Sequence, residues 1–205
     1  MKKTVVILSL IMGGLLSLQL NAASFQVTVN STPLNGLSGF LAFDFLAGSP
    51  VPGNSAGIVG FATAGTLGSS TPSGDVTGSL IPGPLTLGDT QFFNEWLQTV
   101  TMFGNSLSFV LNLGSSVAPG ALTPDAFSFF LLDSNQVPFA TSDPTGAGAL
   151  FFINLDGANT NPTVYSSRFA TATVQPISSA VPEPSAMLLI LIAVPFVLLR
   201  KKKIS

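Results

Sequence analysis

The chain has no cysteine and no histidine, and only 8% of its 205 residues are charged. Without cysteine there is no disulfide and no thiol nucleophile. Without histidine the usual general base of Ser-His-Asp and Cys-His machinery is missing, and with both absent so are the common zinc ligands. Basic residues are almost confined to the two ends, at Lys2, Lys3, Arg200, Lys201, Lys202 and Lys203, which leaves Arg168 as the one cation between residues 24 and 180. The same stretch holds eight acids: Asp44, Asp75, Asp89, Glu95, Asp125, Asp133, Asp143 and Asp156. One cation against eight acids gives this middle a net charge of −7, although the whole chain carries only −2. A nucleic acid is held by several Lys or Arg that release its counterions, so a nucleic-acid partner is excluded.

The ends read as addresses. Lys2 and Lys3 form a positive n-region, residues 4–20 are mostly apolar and uncharged, and Asn21, Ala22 and Ala23 offer small residues at a cleavage point. This is the layout of a secretory signal over residues 1–23, with signal peptidase cutting between Ala23 and Ser24. At the other end Val181, Pro182, Glu183 and Pro184 lead into the uncharged residues 186–199, which Arg200, Lys201, Lys202 and Lys203 terminate. Fourteen helical residues span about 21 Å, short of the roughly 30 Å hydrocarbon core, and Pro195 weakens the helix further. The basic cluster places the tail in the cytoplasm and residues 24–180 across the inner membrane.

In order and position, residues 181–203 resemble the PEP-CTERM sorting signal of exported proteins in Gram-negative bacteria that make exopolysaccharide. The resemblance makes Val181, Pro182, Glu183 and Pro184 the sorting motif and implies that a membrane-embedded exosortase recognises Pro182, Glu183 and Pro184 and cuts nearby, with Arg200 to Lys203 as the membrane stop. An inner-membrane intermediate would then be released or transferred to the cell surface or the extracellular matrix. The alternative is an ordinary C-terminal membrane anchor. The phrases FLAFD at 40–44, FFNEW at 92–96 and PDAFSFF at 124–130 are similar to those of other PEP-CTERM proteins of undefined function, and supply no activity.

Between the ends the pattern is strand, turn, strand. Residues 24–29 alternate apolar and polar; Leu41, Phe43 and Phe45 share one face of a strand, with Phe40, Ala42 and Asp44 on the other. Residues 107–113 alternate likewise, 126–132 read as a central strand, and 133–136 turn into a strand at 137–141, followed by strands at 150–155 and 169–174. Residues 90–102 instead place Phe93, Trp96, Leu97 and Val100 at helical spacing, with Asp89 or Thr90 as cap and Gly104 as stop. An extended reading stays open there, because Thr99, Val100 and Thr101 are β-branched. The expectation is an all-β chain: a single β-sandwich of jelly-roll type with one short helix over 24–175, a linker at 176–180, and a sorting tail with a hydrophobic helix at 181–205.

Chemistry is sparse. A hydrolase of the glycosidase kind needs two facing carboxylates. Most of the acids sit beside Pro, Gly, Ser or Asn in predicted turns; Asp44 and Glu95 are the exceptions, inside predicted elements. Asp133 and Asn135 have a calcium-like D-x-N spacing with Asp143 ten residues on, but nothing completes a loop, so turn chemistry is the expectation. No cofactor is implied, and no metal site. Trp96 and Tyr165 are the amphipathic rings that could stack on a sugar. The reading is an exported, non-enzymatic surface or matrix protein linked to exopolysaccharide or matrix proteins. A carbohydrate-binding module is the alternative, and a carboxylate-pair hydrolase the third. Divalent cations bridging turn carboxylates remain a possible route to anionic matrix material.

Overall fold

Alternation of period two runs through most of the chain, and its physical consequence is a pair of sheets that each bury one side. The computed structural model describes residues 21–48, 53–115, 124–155 and 160–177. These form β1 (Asn21–Asn30), β2 (Gly39–Leu46), β3 (Asn54–Thr63), β4 (Thr66–Ser73), β5 (Val76–Gly78), β6 (Leu85–Gly88), β7 (Phe93–Met102), β8 (Ser106–Ser115), β9 (Asp125–Leu132), β10 (Phe151–Leu155), β11 (Pro162–Val164) and β12 (Thr171–Pro176). One antiparallel sheet has the order β12-β1-β8-β3-β6-β5, the other β11-β10-β9-β2-β7-β4.

The sheets pack face to face through phenylalanine. Phe43 on β2 lies 5.4 Å from Phe109 on β8 and 4.9 Å from Phe129 on β9, while Phe109 and Phe129 are 5.6 Å apart. These tilted and edge-on contacts tie strands of both sheets into one core, which Val27, Ile58, Leu85, Leu87, Leu111 and Phe151 extend. The all-β sandwich is thus observed, with residues 24–29, 40–46, 107–113 and 126–132 in strands and β9 inside its sheet.

Two expectations are corrected. Residues 90–102 form no helix; β7 occupies most of them, and no α-helix is present among the described residues. Its core-facing positions are Asn94, Trp96, Gln98 and Val100, so two inward places are polar and the period-two signal is lost to the eye. Both polar side chains are satisfied. Asn94 Nδ2 donates to the carbonyls of Phe45 (3.1 Å) and Gln91 (2.8 Å), and its Oδ1 accepts from Asp75 N (2.7 Å). Gln98 Nε2 donates to the Gly68 carbonyl at 2.9 Å, holding β4 where its register against β7 shifts. Residues 137–141 are likewise not a strand; Pro138 makes a single bridge to Leu132. Two backbone bonds make that bridge, Phe139 N donating to the Leu131 carbonyl and Asp133 N to the Val137 carbonyl, each at 2.9 Å, and the pairing goes no further.

Local turn chemistry follows the sequence where glycine is required. Gly74, between β4 and β5, has φ +77°, and a Cβ there would also collide with the Phe93 carbonyl and Asn94.

Candidate functional site

The two acids set apart in the sequence meet in the structure. Asp44 lies directly opposite Glu95 of β7 on one side and Ser128 of β9 on the other. Phe43 and Phe45 point into the core, so Asp44 faces outward from the second sheet. That outer face is itself apolar: Ala42 and Leu46 flank Asp44 along β2, and Leu97, Phe93, Phe130 and Ala126 hold the outward positions beside them on β7 and β9. Surrounded in this way, the Asp44 carboxyl is pushed up from 3.8 to about 7, chiefly by burial and secondarily by the charge of Glu95. Burial also raises Glu95. Asp44 Oδ1 is buried with no hydrogen-bond partner. A general acid needs a raised pKa of this kind, and the two carboxyls stand side by side on neighbouring strands of one sheet face.

A second polar group, missed by the sequence reading, caps the core at one end of the sandwich. Asn54 opens β3, Asp125 opens β9, and Asp89 follows β6. All three continue the inward-facing rows of their strands, with Asn54 6%, Asp89 7% and Asp125 2% exposed. Asp89 Oδ2 accepts from Asn54 N at 2.7 Å and Gly53 N at 2.9 Å; Asn54 Nδ2 donates to Asp125 Oδ2 at 2.8 Å, and Gly48 N to Asp125 Oδ1 at 2.7 Å. The group therefore joins the first sheet to the second. Asp89 does not cap a helix, and Asp125 is a buried strand residue, not a turn acid. Nothing local distinguishes Asp125, beside Pro124, from an ordinary turn aspartate; only the register of β9 reveals it.

The remaining acids behave as turn residues. Asp133 Oδ1 accepts from the N–H groups of Asn135 (2.8 Å) and Val137 (2.9 Å), and the Val137 bond leads in drawing its carboxyl below the usual value. Asp143 accepts from Thr145 N at 2.9 Å and Ala149 N at 3.2 Å. Among the described residues no group of three His, Cys, Asp or Glu is placed to hold a metal. Trp96 is buried, its Nε1–H on Gln98 Oε1 at 3.3 Å, so it presents no ring to a ligand, whereas Tyr165 is half-buried. An open groove of about 290 Å³ lies at one end of the second sheet, lined by Ser38, Gly39, Phe40, Thr99, Val100, Thr101 and Ser134, none of them a carboxylate.

Ala23 and Ser24, the expected cleavage point, lie within β1 opposite Leu113 and Asn112 of β8. Ser24 Oγ donates to Asn112 Oδ1 at 2.7 Å, and the Ser24 carbonyl accepts from Ile177 N at 2.7 Å. The sorting motif at Val181 to Pro184 and the basic cluster at Arg200 to Lys203 lie outside the described residues, as does the hydrophobic span between them. Among the described residues no helix is long and apolar enough to cross a membrane. No family model, curated protein or solved structure matches the chain.

Proposed function

We propose that this chain is an exported, non-enzymatic protein of the cell surface or extracellular matrix, sorted by its PEP-CTERM-like tail in a Gram-negative bacterium that makes exopolysaccharide. The observation that carries the reading is the tail itself: Val181 to Pro184, an uncharged span, then Arg200 to Lys203, paired with a signal-like N-terminus. The fold is compatible with removal of both ends. β1 and β12 pair antiparallel, Phe25 opposite Pro176, so the chain enters and leaves the sandwich at the same end. Signal peptidase and exosortase are the partners in transit; the mature partner is exopolysaccharide or a matrix protein.

Within this reading the sandwich is of jelly-roll type. A jelly roll winds one long antiparallel ribbon, so that first and eighth, second and seventh, and third and sixth strands pair. The pairs β1·β8, β2·β7 and β3·β6 support that description. Asp44 and Glu95, directly opposite on neighbouring strands, are the pair that the third reading, a carboxylate-pair hydrolase, would have to use. The alternative, a carbohydrate-binding module, draws support from the groove, whose lining combines Phe40 with the hydroxyl-bearing Ser38, Thr99, Thr101 and Ser134.

The test is the intact mass of protein recovered from the surface. A chain beginning at Ser24 and lacking residues 186–205 is expected, and Glu183→Ala should leave it in the inner membrane. C-terminal lysines on surface protein, or normal export of the variant, would overturn exosortase processing. Retention on native exopolysaccharide that Phe40→Ala abolishes would establish the carbohydrate-binding alternative instead.

A further inference from the structure

We propose that Asp89, Asn54 and Asp125 form a binding site for one divalent cation of the calcium type, clamping the two sheets together at the end where the chain enters and leaves. Three separate observations converge on it. The first is charge. Asp89 and Asp125 are 7% and 2% exposed, and among the described residues the only cation is Arg168, which is exposed and lies over the Phe169 ring at 4.6 Å. Two carboxylates are thus held at the rim of a phenylalanine core with no positive charge beside them. Buried charges are ordinarily paired or coordinate a metal.

The second observation is an orphan acceptor. Asn54 Oδ1 is buried without a hydrogen-bond partner in a side chain only 6% exposed. The orientation of the amide is fixed, because its Nδ2 donates to Asp125 Oδ2 at 2.8 Å and reversal would set oxygen against carboxylate. Covalent geometry then keeps Oδ1 within about 5 Å of that carboxylate oxygen. Its missing partner must be a donor or a cation, and the N–H donors that the described residues bring to this group serve carboxylates: Gly48, Gly53 and Asn54 through the backbone, and Asn54 through its amide.

The third is the chemistry of the set. Two carboxylates and an amide oxygen are hard neutral and anionic oxygens without nitrogen or sulfur, which suits calcium and excludes a zinc-like preference. Each aspartate oxygen accepts N–H bonds yet keeps a lone pair for a metal. Calcium takes six to eight oxygens in flexible geometry, so three side chains leave places for water and main-chain carbonyls. The site is distinct from the D-x-N spacing at Asp133, whose carboxylate is occupied by the turn it closes.

The test uses the full-length chain in detergent, stripped with EDTA and dialysed against radioactive calcium chloride. One ion per chain is expected, with a dissociation constant in the roughly 0.1–1 mM range of extracellular calcium modules. Calcium should raise the melting temperature, whereas magnesium, which gives up its water reluctantly, should raise it much less. Asp125→Asn and Asp89→Asn should weaken binding at least tenfold, while Asp133→Asn leaves it unchanged. Because the first two could also fail to fold, Asn54→Asp supplies a gain: one more charge in the site should enlarge the calcium-induced rise in melting temperature. Retention of no calcium by the wild-type chain at millimolar free ion would overturn the proposal. So would binding lost in Asp133→Asn, or a smaller calcium response in Asn54→Asp than in wild type.

Discussion

Replacing Asp44 by Asn should stabilise the protein near pH 8 and do nothing near pH 4. The reasoning starts from burial: the carboxyl sits among outward-facing apolar residues and opposite Glu95, and its pKa rises from 3.8 to about 7. Each unit is worth about 1.4 kcal/mol, so the shift corresponds to roughly 4 kcal/mol. The sign follows from which state holds the proton. Above about pH 8 both folded and unfolded chains are ionised at this position, and the folded chain bears the full cost of a buried charge. Between about pH 7 and pH 4 the folded chain takes up a proton that the unfolded chain does not, and stability climbs as pH falls. Below about pH 4 both are protonated and the gain is complete. Asn carries no charge at any pH, so the variant should exceed wild type by on the order of 3–4 kcal/mol at pH 8, the difference shrinking to near zero at pH 4. Urea melts followed by circular dichroism at fixed ionic strength measure this. The lowered carboxyls of Asp133 and Asp143 pull total stability the other way in acid, but equally in both proteins, so the difference profile isolates Asp44. A difference that stays constant from pH 8 to pH 4 would refute the argument.

Other expectations test the core, the close approach of strands and the revised fold. Phe43→Ala removes a side chain with rings at 4.9 and 5.4 Å on both sheets and should cost about 3–5 kcal/mol; an unchanged urea midpoint would contradict the packing. Gly39→Ala places a methyl against the Leu132 carbonyl and the Phe103 ring, with an expected loss of about 1–3 kcal/mol, and a variant as stable as wild type would show that β2 and the end of β9 lie further apart. Residues 24–177 expressed alone should give a β-type circular dichroism spectrum, and a strong helical band would restore the helix at 90–102. With no cysteine in the chain, reducing agent should leave the melting temperature of that fragment unchanged.

How much of this was legible depended on which face of each strand was apolar. β1 and β8 put Val27, Val29, Phe109 and Leu111 inward against Gln26, Thr28, Ser108 and Asn112, and their alternation could be read directly. β7 defeated the same reading because apolar Phe93 and Leu97 face outward while Asn94 and Gln98 face the core. Any pattern that tracks hydrophobicity alone then finds Phe93, Trp96, Leu97 and Val100 at three- and four-residue intervals and infers a helix. The strands β3 and β4 are rich in Gly, Ser, Thr and Ala, which carry little pattern; β4 is held instead by the Gln98 amide and by its ladder with β7. Sheet register, not residue type, supplied what was missing.

Register also decides where the acids can find partners. In a body with one cation, a carboxylate must be satisfied mainly by N–H groups, and free N–H groups exist where ladders end. Asp89 and Asp125 lie at strand ends and take theirs from Gly48, Gly53 and Asn54; Asp133 takes two from its own turn. Asp44 has no such supply. It is the middle of a strand paired on both edges, where the backbone donors around it are committed to β7 and β9. It can respond only by holding its proton, and that is why Asp44, set apart with Glu95 in the sequence, has its carboxyl pushed up to about 7. Asp89 and Asp125 were invisible for the converse reason: well supplied with N–H groups, they look in sequence like a helix cap and a turn aspartate, and only the convergence of two sheets on Asn54 sets them apart.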